Sequence, residues 1–276
     1  VRMAERQVHL KRWITGLAGL AVLAACVVWG GAVLGVLVAA ACLVGQYEYV
    51  RITCPSAARP LTDPVLFAGY GFGVALMAAA HAGRPELLAV LGVFNVMACG
   101  LIGVFRFASD RTVVELAAKQ IQGVCYIGLP LALLLLLRQT PQGTTWVFLL
   151  CAVIFAGDTA ALYAGTFWGR HKLSPAISPG KTVEGAVAGL AANLIVAAAG
   201  KALFLPQMGW GVCLLFSVSA GIMGQVGDLF ESQLKRVSNV KDSGTMLPGH
   251  GGVLDRIDAL LFAAPVAYLF RLWLVG

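Results

Sequence analysis

Residues 209–236 read GWGVCLLFSVSAGIMGQVGDLFESQLKR. The nineteen residues Gly209–Gly227 carry no charge, about the length at which an α-helix crosses the hydrocarbon core of a bilayer. The nine that follow hold Asp228, Glu231, Lys235 and Arg236. Such a stretch reads as a membrane helix that ends at a polar surface. The charge continues to Asp258, so that residues 228–258 carry five of the thirteen acidic and four of the twenty basic residues. Charge is costly near a bilayer, and a block this dense needs a chemical reason.

The composition of the 276 residues agrees with a membrane protein. Hydrophobic residues make up 59% and charged residues 12%, against about 25% charged in soluble domains, and the mean hydropathy is +0.84. A large soluble core is excluded. Nine spans are expected: Trp13–Val28, Ala32–Tyr49, Pro64–Ala80, Leu87–Phe107, Ile121–Leu137, Thr145–Gly165, Val183–Leu205, Gly209–Gly227 and Ile257–Leu274. The fold class is therefore all-α, a polytopic helix bundle with a cytoplasm-facing polar site. Residues 1–120 form N-terminal transmembrane helices and residues 121–276 a C-terminal catalytic region of one integral unit. The first two spans meet tightly at Gly30-Gly31. The basic N-terminus, VRMAERQVHLKR, reads as the flank of a retained first helix rather than a cleaved signal. Ser109–Lys119 is amphipathic and is either an interfacial helix or a solvated connector.

With the N-terminus in the cytoplasm, only Arg84, Arg138, Lys201 and Arg271 fall outside, and the other sixteen basic residues fall inside. This asymmetry is the one expected of membrane proteins. It places the C-terminus outside, and the charged block and the loop Gly169–Lys181 at the cytoplasmic surface. The expected location is the cell inner (plasma) membrane. The net charge of +7 thus reflects topology and not a nucleic-acid partner. The seven cysteines form no CxxC pair and read as small buried hydrophobes.

Several residues point to phosphate and metal chemistry. Asp228, Glu231, Ser232 and Lys235 are spaced to share one helix face. Glu231 alone is as readily a solvated helix end. Lys235, Arg236 and Lys241 suit phosphate oxygens, although Lys241 equally suits a basic cluster facing anionic lipid. In Leu247–Gly252 three glycines within four residues permit close backbone approach to a ligand. His250 there is a phosphate donor, an acid, or a histidine that holds the turn. Asp255 and Asp258 open the last span, where capping explains Asp258 better. Asp255 pairs with Asp228 across the loop, and two facing carboxylates call for a hard cation, the magnesium pattern. Asp158 lies within a span, where a carboxylate costs ~2.5–3.5 kcal/mol unless satisfied; it is functional or hydrogen-bonded between helices. Ser178-Pro-Gly-Lys181-Thr182 lacks the glycine spacing of a P-loop, since position 175 is proline. It remains a loop with Ser178, Lys181 and Thr182 at a helix start, which favours an anion.

The run Ser232–Asp258, S-x-L-K-R-x4-K-D-x-G-x2-L-P-x-H-G-G-V-x-D-R-I-D, resembles the signature of the phosphatidate cytidylyltransferases, also called CDP-diglyceride synthases. The 178–185 loop and Asp158-Thr159 are similar to that family too, so the resemblance covers roughly residues 150–260. It implies a nucleotidyltransferase that makes CDP-diacylglycerol and pyrophosphate from CTP and phosphatidic acid, with Mg2+, at the head of phospholipid synthesis; among membrane lipids, a homodimer is the family-based expectation. It further implies that Asp228 and Asp255 hold the metal, with Lys235 and Ser232 beside them as catalytic groups. Lys181, Arg236 and Arg256 would clamp phosphates, and Ser178, Thr182, Lys241, His250 and Asp158 would complete substrate binding. Two other readings stay open: a polytopic secondary transporter, and a related CTP-dependent enzyme acting on an isoprenoid lipid.

Overall fold

A computed structural model describes residues 19–54, 61–244, 246 and 251–273. His250 therefore lies outside the described residues. The chain divides into two compact units, residues 1–129 with 240–256 and residues 130–239 with 257–276.

The first unit begins with α1 (Gly19–Trp29) and α2 (Gly31–Thr53). They meet at Gly30 and Gly31, whose φ values of 63° and 50° lie in the region glycine enters freely. Next come α3 (Pro64–His81) and α4 (Glu86–Arg106). Asp63 caps α3 by accepting from Val65 N at 2.9 Å, with Pro64 at the first helical position. Arg106 reaches from the end of α4 to Asp63 at 2.5 Å and Asp110 at 2.9 Å. Hydrogen bonds from Thr112, then the Arg106 charge, hold the Asp110 carboxyl below its ordinary value.

α5 (Val113–Gly123) runs through a π-helical turn, Val124–Gly128, into α6 (Leu129–Gln139). The amphipathic stretch after Ser109 is thus neither an interfacial helix nor a connector. It forms the first turns of a 27-residue span, Val113–Gln139. The reason is packing: Val113 is buried against Val65 and Cys99, with Leu116, Ala117 and Ile121 beside them. Polar bonds tie α5 to α4 and to α2. Gln120 donates to Asn95 at 3.0 Å and accepts from Cys99 Sγ at 2.9 Å, and Tyr49 donates to Gln122 at 2.7 Å. In lipid such bonds help select helix partners, because apolar surface alone does not.

The second unit contains α7 (Gly143–Trp168), β1 (Lys172–Ser174), β2 (Ser178–Thr182), α8 (Val183–Phe204), α9 (Trp210–Val237) and most of α10 (Leu254–Trp273). β1 and β2 pair antiparallel, with Ser174 opposite Ser178 and Lys172 opposite Thr182. The 169–181 segment, expected as a loop, is thus a short hairpin. Asn193 of α8 packs on Gly157 of α7 and Gly221 of α9, where any Cβ would strike its amide. Small residues at these crossings let the backbones approach, as in other membrane bundles. At one end of this unit Arg271 Nε donates to Pro141 O at 3.0 Å, and Gln207 bonds Gln142. The 140–143 turn, the 205–209 loop and the end of α10 therefore gather together, as the alternation of spans requires.

Among the described residues, seven helices are long and apolar enough to cross a membrane: α2, α3, α4, α5 with α6, α7, α8 and α9. α1 has eleven described residues, and α10 carries Asp255, Arg256, Asp258 and Arg271. Each of the nine expected spans contains helix within its described residues. The all-α polytopic class holds, with seven spans by length and composition. All seven cysteines are free thiols.

Candidate active site

The second unit gathers charge at the end of α9. Gly227 makes this possible: a Cβ there would stand 2.5 Å from Asp258 O and 3.1 Å from Phe262 Cβ. α10 thus lies directly against the last turns of the α9 span, just where Asp228 begins the charged segment.

Lys181, from β2, pairs with Asp228 Oδ2 at 2.5 Å, and both side chains are partly exposed. Ser232, one turn on, lies 3.5 Å from Asp228 Oδ1. Asp158 of α7 stands within electrostatic reach of Asp228 and Lys181, and Asp258 within reach of Asp228, Asp158 and Lys235. Asp158 is exposed within a membrane-spanning helix. A carboxylate there faces protein interior or a water-filled cavity, and its electrostatic partners mark the side it faces. Three elements besides α9 therefore bring charge to one place: α7, the hairpin and α10.

Lys235 is held differently. Its Nζ pairs with Glu231 at 2.5 Å, one turn back on α9, and the Glu231 side chain is 1% exposed. Glu231 is not a solvated helix end; burial makes it the fixed partner of Lys235. Arg236 is exposed, and its Nε donates to Ile177 O at 3.0 Å, tying α9 to the hairpin turn.

Thr182 caps α8: its buried Oγ1 accepts from Gly185 N at 3.1 Å. Glu184 accepts from the amides of Arg170 and His171 and pairs with the His171 ring at 2.6 Å. The hairpin is thereby fastened at its base, leaving Lys181 to reach α9. Ser178 is half-buried at the start of β2.

In the first unit Asp255 sits in the opening turn of α10. Its Oδ2 accepts from Gly252 N at 2.8 Å and Ser243 N at 3.0 Å. Asp258 is one turn further in, beyond capping reach of the helix start. Capping, expected at Asp258, falls to other groups, and Asp258 instead stands within electrostatic reach of Asp228. Lys241 and Arg256 are exposed.

Sequence reasoning passed over Glu48. It is 3% exposed near the end of α2. It accepts from Leu254 N at 2.8 Å, Val253 N at 3.1 Å and Ser243 Oγ at 3.2 Å. The signal was present in GQYEYVR, a carboxylate inside an apolar run. Gly252, read as room for a ligand, packs on this carboxylate, and so does Gly244; a Cβ on either would collide with it. Gly251, at φ 81°, does require glycine for its backbone.

Among the described residues no three His, Cys, Asp or Glu side chains are gathered closely enough to hold a metal by themselves. The donor set nonetheless suits a hard cation. Asp158 and Asp258 lie within electrostatic reach of Asp228, and a cation that keeps few protein ligands takes the rest from water and substrate phosphate.

Carboxylates, lysines and a capped helix start near the end of α9, in a multi-pass membrane chain, are a set whose chemistry suits phosphate. The comparisons narrow it. Residues 10–274 match the model of the cytidylyltransferase family. A phosphatidate cytidylyltransferase of Bacillus subtilis is 42% identical over 52% of this chain and 54% of its own length. One of Brucella suis is 40% identical over 64% of this chain and 63% of its own. One of Staphylococcus aureus is 30% identical over 92% of this chain and 96% of its own. The matched stretch thus spans less than two thirds of the first two relatives and nearly all of the third. The chain belongs to the cytidylyltransferase family.

Proposed function

We propose that this chain is a CTP:phosphatidate cytidylyltransferase, which makes CDP-diacylglycerol and pyrophosphate from CTP and phosphatidic acid. The observation that carries the reading is the Lys181–Asp228 ion pair. It joins a cation suited to phosphate and a carboxylate suited to a metal at the end of a membrane helix, in a chain of this family. A secondary transporter needs polar groups from two related halves near the bilayer midplane, and the charge here gathers at one helix end.

The chemistry asks little proton transfer of the protein. A phosphate oxygen of the lipid attacks the α-phosphorus of CTP. A P–O bond forms there, the bond to the bridging oxygen breaks, and pyrophosphate leaves with that electron pair. The lipid phosphate is already anionic near neutral pH. The protein must therefore orient the two phosphates and neutralise charge that grows on the leaving group. Lys235, held by Glu231, and Lys181, held by Asp228, are the ammonium groups for that work. Arg236 and Arg256 add guanidinium donors, and Ser178 and Ser232 hydroxyl donors. Lys241 and His250 are assigned to substrate by the signature alone. Thr182 contributes by fixing the start of α8.

We assign Mg2+ to Asp228, with Asp158 and Asp258 setting the negative field around it. Asp255 is assigned to the metal on the signature, and its oxygens retain lone pairs beyond the amide bonds. When bound, the cation would draw charge from the α-phosphate and the pyrophosphate. The lysine and arginine asymmetry supports an inner-membrane protein with its site facing the cytoplasm, where CTP is found. A homodimer is the family expectation.

The test is purified protein with labelled CTP, Mg2+ and either phosphatidic acid or an isoprenoid lipid phosphate. Labelled CDP-diacylglycerol supports the reading. Transfer to the isoprenoid lipid alone would replace the substrate, and no transfer to either would overturn the activity.

A further inference from the structure

We infer that Glu48, on the second helix, is a positioning residue: it anchors the Ser243–Asp255 segment and so sets the Asp255 carboxylate for the reaction proposed above. The inference rests on that reading for its catalytic consequence and on geometry for the anchor. Glu48 is some two hundred residues from its partners in sequence, and all of them belong to the same unit. Its carboxylate collects the Val253 and Leu254 amides, two of the orphan donors at the start of α10, together with the Ser243 hydroxyl. Ser243 passes the constraint on. Its Oγ accepts from Asp255 N at 3.3 Å and its amide donates to Asp255 Oδ2 at 3.0 Å. Gly252 closes the ring by donating to the same oxygen at 2.8 Å. Glu48, Ser243, Gly252 and Asp255 thus form one network, and the bonds to Glu48 that anchor it each span some two hundred residues of chain.

An acceptor-only carboxylate is needed at Glu48. Three donors converge on it, and an amide in its place would turn N–H groups toward N–H groups. Packing explains the glycines on either side: Gly244 and Gly252 each leave no room for a Cβ beside the Glu48 oxygens. A residue that merely filled space would tolerate glutamine, which has the same shape.

The experiment compares Glu48→Gln, Glu48→Asp and wild-type protein. Amide hydrogen exchange across residues 241–256 is measured without substrate, and steady-state kinetics separately. In Glu48→Gln, exchange in that segment should rise at least about tenfold, with α7–α9 unchanged, because the opening is local. The kcat should fall on the order of ten- to a hundredfold, the range for removing a residue that orients a ligand carboxylate. The KM for phosphatidic acid should stay within about twofold on the same argument, since the lipid is not touched. Glu48→Asp, keeping the charge, should recover part of both. Glu48→Gln with wild-type exchange, or with faster exchange and wild-type kcat, would overturn the proposal. Faster exchange in a chain that makes no CDP-lipid would instead overturn the enzyme reading and leave the anchor supported. If Glu48→Gln does not fold, Ser243→Ala removes one of the three bonds and carries the same two readouts.

Discussion

At the scale of single residues, the charges on α9 do different jobs. Asp228 is partly exposed and shared with Lys181, so Asp228→Asn should remove transfer activity while leaving thermal unfolding near that of wild type. Full activity in that variant would sink the metal assignment. Glu231 is buried with Lys235. Removing one partner of a buried pair costs about 3–5 kcal/mol, because the other charge is left uncompensated. Glu231→Gln should therefore unfold at a clearly lower temperature, and the Glu231→Gln, Lys235→Met double variant should recover much of the loss while staying inactive. Additive losses would contradict the pairing. These roles were only partly legible in the sequence. The i, i+4 spacing put Glu231 and Lys235 on one face, but a lone sequence cannot say which face is buried. Capping was read at Asp258, but the helix starts at Leu254, which puts Asp255 in its first turn and Asp258 one turn further in, and the opening amides go to Glu48.

At the scale of elements, close crossings decide the site. Gly227 lets α9 and α10 approach, and Gly227→Ala forces backbone against a new methyl. A loss of about 1–3 kcal/mol is expected from such overpacking, with activity falling in parallel; a stable, active variant would show that the crossing has slack. Thr182→Ala removes the α8 cap and should cost about 1 kcal/mol. Such a variant should also lower the affinity for CTP, since Lys181 is the neighbouring residue. Unchanged stability would contradict the cap. The spans themselves were plain in the sequence, because length and apolarity are one-dimensional properties. The hairpin at 172–182 was not: strands of three and five residues carry too little pattern. The amphipathic stretch at 113–119 carried a helical pattern, and only its packing on α3 and α4 told a span from a surface helix.

At the scale of the whole molecule, the chain is a multi-pass helical membrane protein of the cytidylyltransferase family. Its apolar spans and its signature run Ser232–Asp258 are both contiguous in sequence, which is why the membrane class and the family could be read together. The proposed orientation has a direct check. A cysteine placed at Lys172 in the hairpin should react with an impermeant thiol reagent only after cells are opened, and one at Gln207 should react in intact cells; the opposite pattern would reverse the topology. Glu48 lay out of reach of that reading, because its partners are some two hundred residues away and the chain alone does not announce them. Chelating divalent ions should stop turnover, and Mg2+ should restore it. Turnover itself tests the assignment most directly. Purified wild-type protein, given labelled CTP, Mg2+ and phosphatidic acid, should release one pyrophosphate for each CDP-diacylglycerol, and Asp228→Asn should release none. Folded wild-type protein that forms no CDP-lipid, or an Asp228→Asn variant as fast as wild type, would contradict it.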